Sequence, residues 1–143
     1  MKIAYPFRVT EEAEEPGTFM VQGLEPLACV VTYGEGLERA LANAAEALTG
    51  VFEAMLESGQ AVPRPFAGSG PGVHLVAPQP EVIAPLVLRW AREDAKVTQI
   101  ELASRLGMTY QAVQRLERPG ANPTIKTMGK VARALGRQFE ISL

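Results

Sequence analysis

The 143-residue chain predicts two small domains of different class: an α+β domain with one sheet and one helix, then an all-α domain ending in a short strand. Three observations predict this. Apolar residues alternate at period two up to Gly34 and recur every three to four positions after it. The stretch AVPRPFAGSGPGVHLVAPQP is crowded with proline and glycine, as connectors are. Charge also reverses across that stretch. Residues 1–80 carry four basic side chains against ten glutamates, net −6, and residues 81–143 carry ten basic against six acidic, net +4. The whole-chain charge of −2 averages two unlike halves. We place the domains at 1–78 and 79–143, with the crossing near Pro78 to Glu81.

In the first domain, Lys2 to Val9 and Thr18 to Gln22 are extended runs joined by EEAEEPG, whose Pro16-Gly17 pair signals a hairpin turn. Ala28 to Tyr33 is rich in β-branched residues and makes a third strand ending at Gly34. From Leu37 to Leu56, the residues Leu37, Leu41, Ala44, Leu48, Phe52 and Met55 fall on one face of a helix, and Gly59 ends it. Val73 to Val76 supplies an edge strand, giving β-β-β-α-β. Cys29, in the apolar run ACVV, is expected to be a buried structural thiol. The lone histidine, His74, has no companion ligand nearby.

The second domain opens with a helix over Pro85 to Asp94, apolar at Leu86, Val87 and Trp90, with Trp90 in the core. Thr98 with Glu101 three residues on is a capping-box pattern starting a second helix. Ala103 permits close helix approach, Gly107 takes the sharp turn, Thr109 caps a third helix, and Met108, Val113 and Leu116 fill the space between. This is helix, short turn, helix. On the third helix Tyr110, Gln111, Gln114 and Arg115 point away from that packing. Gln pairs with adenine, Arg with guanine, and Tyr meets phosphate or a thymine methyl. With the cap Thr109 and with Gln99, they are the candidate DNA-binding residues. Thr124 caps a further helix with Ile125, Met128, Val131, Ala132 and Leu135 inward, while Lys126, Lys130, Arg133 and Arg137 decorate its surface. QFEISL alternates like a strand, and its expected partner is the same strand of a second subunit, in a homodimer or a tetramer built from dimers.

Several function classes are excluded. The start MKIAYPFRVT has no signal-peptide run, and no segment offers the ~18 consecutive apolar residues that span a bilayer, so a cytoplasmic protein with no membrane partner is expected. One cysteine builds neither a disulfide nor a thiolate metal cluster within one chain. There is no His-Glu-x-x-His, no glycine-rich phosphate loop and no paired catalytic groups. No cofactor, metal or catalytic residue is expected, and we read the chain as no enzyme.

TQIELASRLGMTYQAVQRLERPGANPTIKTMGKVARALG resembles the Xre family, the Cro and phage-repressor type of helix-turn-helix. Carried over by position, Gln99 matches a phosphate contact, and Tyr110, Gln111 and Arg115 match base readers. The acidic Pro-Gly hairpin, GEGLERALANAAEAL opening a long helix, AVPRP after it, and then the repressor-type domain together resemble the HicB antitoxin family over nearly the full length. That resemblance implies a partial ribonuclease-H-like first domain without catalysis that binds HicA, a small basic ribonuclease, and a second domain that binds the operator of its own operon. An acidic domain suits a basic, RNA-binding partner. The alternative is a one-component transcriptional regulator whose first domain senses a small molecule. A third reading, an enzyme fused to a DNA-binding module, lacks paired catalytic groups.

Overall fold

A computed structural model of the chain describes residues 2–143. The residues form two compact units, one ending at Gln79 and the other beginning at Pro80.

The first unit holds β1 (Tyr5–Glu11), β2 (Thr18–Gly23), β3 (Val31–Glu35), α1 (Leu37–Ser58) and β4 (Val73–Val76). The sheet is antiparallel in the order β3-β2-β1-β4. One face carries α1; the other is covered at Pro6 by the Gly68 segment and Leu24 and is open elsewhere. Tyr5 meets Phe52 edge to face at 5.1 Å between ring centroids, so odd-numbered β1 residues face the helix. Tyr5, Phe7 and Val21 from the sheet and Ala40, Ala44, Leu48, Phe52 and Leu56 from α1 are buried together with Leu27 and Val30.

The helix face is rotated from the one expected. Burial follows Ala40, Ala44, Leu48, Phe52 and Leu56 at strict four-residue steps, while Leu37 is exposed and Leu41 and Met55 lie on the flanks. Small residues at 40 and 44 let the start of α1 lie close to β3. Gly34 sits inside β3 rather than ending it, since Gly34 and Glu35 still pair with Phe19 and Thr18, and a Cβ at Gly34 would stand 2.6 Å from the backbone of Ala40. Cys29 is exposed, not buried: the loop between β2 and β3 turns Leu27 and Val30 inward and Cys29 out. Thr49 is buried with its hydroxyl satisfied twice, donating to the Ala45 carbonyl at 2.7 Å and accepting from the Gln79 amide at 2.8 Å.

The second unit holds α2 (Pro80–Asp94), α3 (Gln99–Leu106), α4 (Tyr110–Leu116) and α5 (Ile125–Ala134). α2 starts five residues earlier than expected. Pro80 takes the first helical position, where a missing N–H costs nothing, and Pro85 is tolerated inside the helix. Leu88, Val97, Leu102, Ala103, Val113, Val131 and Leu135 make the core, with Met128 and Leu116 packed against it. Trp90 is buried, whereas Ile125, expected inward, is 65% exposed. Residues 138–143 form no ladder within the chain, so the expected terminal strand is absent as an element: a strand exists only by pairing with another backbone. No helix among the described residues is long and apolar enough to cross a membrane.

Candidate nucleic-acid interface

Three threonine caps set the frame of the second unit. Thr98 accepts from the Glu101 amide, Thr109 from the Ala112 amide and Thr124 from the Thr127 amide, each at 3.1 Å. Between α3 and α4 the chain turns through Gly107, left-handed at φ 63°. Its amide bonds the Ser104 carbonyl at 3.3 Å and that of Met108 bonds Ala103 at 3.0 Å, so α3 ends in a Schellman motif. Ala103 is buried under this turn, and Val113 from α4 is fully enclosed. The short turn and the small residue let two helices cross closely, leaving one side of α4 outside.

On that side stand Tyr110, 39% exposed, with Gln111 and Arg115, both exposed. Gln114 is half-buried, and its amide nitrogen donates to the Tyr110 hydroxyl at 2.9 Å. The two expected readers are therefore joined one helical turn apart. Thr109 is exposed, but its hydroxyl oxygen is engaged in the cap. Five of the six sequence-derived candidates thus share one short helix and its cap, while Gln99 stands half-buried at the start of the neighbouring α3. The arrangement offers amide, guanidinium and phenol groups on the outer side of α4, side-chain types that can hydrogen-bond base edges or phosphates.

A family model described as helix-turn-helix matches residues 88–141. Antitoxin HicB 1 of Photorhabdus laumondii is 36% identical over 97% of this chain and 86% of its own length. The chain belongs to the HicB antitoxin family. Antitoxin HicB of Escherichia coli is 27% identical over 96% of each chain. An HTH-type transcriptional regulator of Methanothermobacter thermautotrophicus is 38% identical over 36% of this chain and 75% of its own.

This HicB-family chain also holds a buried ion pair that its local sequence pattern does not announce. Arg92 at the end of α2 donates from Nε and Nη2 to both oxygens of Glu117, each at 2.8 Å, and from Nη1 to the Val97 carbonyl at 2.9 Å. Glu117 is the residue after α4, and its carboxylate is enclosed. The hydrogen-bonded Glu117 carboxylate holds the Arg92 guanidinium above its ordinary range, against the opposing effect of burial. A bidentate pair of this kind fixes the C-terminal end of α4 against α2 and so sets the orientation of the exposed face of α4. The two residues lie 25 positions apart, beyond any helical periodicity. Arg105 makes a further tie, donating from α3 to the Ala134 carbonyl at 3.0 Å.

Proposed function

We propose that this HicB-family chain is the antitoxin of a type II toxin-antitoxin pair. Its first domain binds and neutralises a HicA-type mRNA-cleaving toxin, and its second represses the chain's own operon. Its role is that of a binding protein, not an enzyme. The observation that carries the reading is the span of the family match, which runs through both the acidic unit and the helix-turn-helix unit. The charge reversal between the halves supports two partners of opposite kind, a basic protein and DNA.

On the DNA side, Tyr110, Gln111, Gln114 and Arg115 read bases, while Gln99 and Thr109 approach phosphates. The protein acts as a homodimer on two half-sites. α5 supports this, because Ile125, Gly129 and Arg133 open outward onto a groove completed by Phe139 and Glu140, and Ile141 and Leu143 are exposed beyond it. In a second copy the alternating 138–143 segment finds the backbone partner it needs.

Two measurements test the proposal. Co-expression with the HicA-type toxin of the same operon restores growth; continued arrest removes the antitoxin role. Fluorescence anisotropy on the chain's own promoter DNA gives specific binding that Arg115→Ala weakens by about 1–3 kcal/mol, with specificity relaxed at one base position. An unchanged affinity removes Arg115 from the interface.

A further inference from the structure

The open face of the first unit's sheet has an ordered chemistry. Side chains alternate across the sheet, so the residues directed away from α1 are the even-numbered ones of β1 and β2 and the odd-numbered ones of β3. The registers place Thr10 opposite Met20 and Met20 opposite Tyr33, making one row across three strands. Towards the hairpin, the Glu12 amide bonds Thr18, which pairs with Glu35, making a row with a carboxylate at each end. On the other side, Gln22 pairs with Val31 and with Arg8, an exposed cation on the same face. Glu12, Glu14 and Glu15 line a shallow cavity with Thr18 and the Tyr33 ring.

Acidic residues alone do not distinguish this face, since α1 also carries Glu38, Glu46, Glu53 and Glu57. Apolar exposure does. Among the described residues, the large apolar side chains exposed in the first unit are Val31, Tyr33, Leu37 and Leu75, and all but Leu37 lie on the sheet face away from α1. Tyr33 is 51% and Leu75 58% exposed. An aromatic and aliphatic centre with a charged rim is the anatomy of a protein interface; Arg8 stands on the β4 side of this face, and the carboxylates gathered at the hairpin end select a basic group there.

We propose that the toxin docks on this open sheet face. Tyr33, Met20 and Val31 form the contact centre, and lysine or arginine side chains of the toxin enter the carboxylate-lined cavity beside the Tyr33 ring. An aromatic face flanked by carboxylates favours a guanidinium or ammonium group by both cation–π and ionic attraction. The inference rests on the toxin-binding reading above and adds the location.

The test uses the full chain and a catalytically inactive HicA-type toxin of the same operon, with binding followed by calorimetry at two salt concentrations. Tyr33→Ala and the double variant Glu15→Lys/Glu35→Lys each weaken binding at least about tenfold. The charge-reversed variant also loses most of the salt dependence. Glu46→Lys/Glu57→Lys, on the outer side of α1, changes affinity by less than about twofold. All of these side chains are exposed, and the double variants keep the test alive if Tyr33→Ala lowers the melting temperature. Normal binding by the sheet-face variants, or equal loss in both double variants, overturns the location while leaving the antitoxin reading standing. Absence of binding by the unsubstituted chain, together with failure to restore growth, overturns the antitoxin reading itself.

Discussion

Lys96 has a left-handed backbone, φ 55°, two residues past Asp94 at the end of α2. Its amide bonds Glu93 at 2.9 Å and that of Val97 bonds Arg92 at 3.2 Å, so a lysine stands at the helix end where glycine is usual. A Cβ in this region costs about 1–2 kcal/mol, partly offset by the extra freedom glycine has when unfolded. Lys96→Gly should therefore raise the stability of the second unit by about 0.5–1 kcal/mol, visible as a higher urea midpoint with an unchanged slope. Nearby, Glu117 and Arg92 make the opposite kind of site. Glu117→Ala leaves a largely buried guanidinium without its carboxylate and should cost about 3–5 kcal/mol in the same measurement. Replacing both partners with apolar residues of similar volume, Arg92→Met with Glu117→Leu, should cost much less. A similar loss from both variants would mean that the pair's worth lies in packing rather than charge.

At the scale of elements, β3 and the start of α1 depend on one missing side chain. Gly34→Ala drives a methyl group into the Ala40 backbone, which cannot swing aside as a flexible side chain can. The substitution should cost about 1–3 kcal/mol, while Gly50→Ala on the open side of α1 should be stabilising. The sheet and α1 also share Tyr5, whose hydroxyl donates to the Pro63 carbonyl at 2.7 Å. Burial pushes this phenol well above its ordinary value, with Arg64 opposing. In the unfolded chain it ionises near pH ~10, so the folded state holds its proton longer. Its contribution is complete below that pH and is lost as pH rises through the raised folded value. Thermal melts above about pH 10 should show falling stability, and Tyr5→Phe should flatten that fall while costing about 1 kcal/mol at neutral pH.

The same elements show what a sequence can reveal. The hairpin was legible from Pro16-Gly17, and the caps from Thr98, Thr109 and Thr124, because each signal acts within four residues. The exposed face of α4 was legible because seven residues allow few ways to bury Val113. The buried face of α1 is legible at Ala44, Leu48 and Phe52 and shifts by about one residue towards its ends, since Ala40 looks neutral until β3 is seen to press on it. Cys29 departs from the expectation of a buried thiol because the loop after β2 turns this member of the apolar run ACVV outward while Leu27 and Val30 face in. Arg92 and Glu117 had no local signal at all. Their pairing depends on α2 and α4 meeting, which only the fold decides.

The whole molecule carries its charge in two parts, and the two would respond differently to one deletion. Removing residues 138–143 takes away Phe139, Ile141 and Leu143, but leaves α5, its Gly136 stop and the Arg137 to Asp94 ion pair at 3.7 Å. None of the removed residues belongs to the buried core of the second unit, so the unit should stay folded. If the segment pairs two copies, the shortened chain is a monomer by light scattering. Its two half-site contacts then become independent, and the operator affinity falls on the order of 10²–10⁴-fold, because the second contact no longer benefits from a high effective concentration. Toxin binding through the acidic unit would be unchanged at a single site. Persistence of the dimer after the deletion would place the two-fold contact elsewhere and leave the outward stripe of α5 without this role.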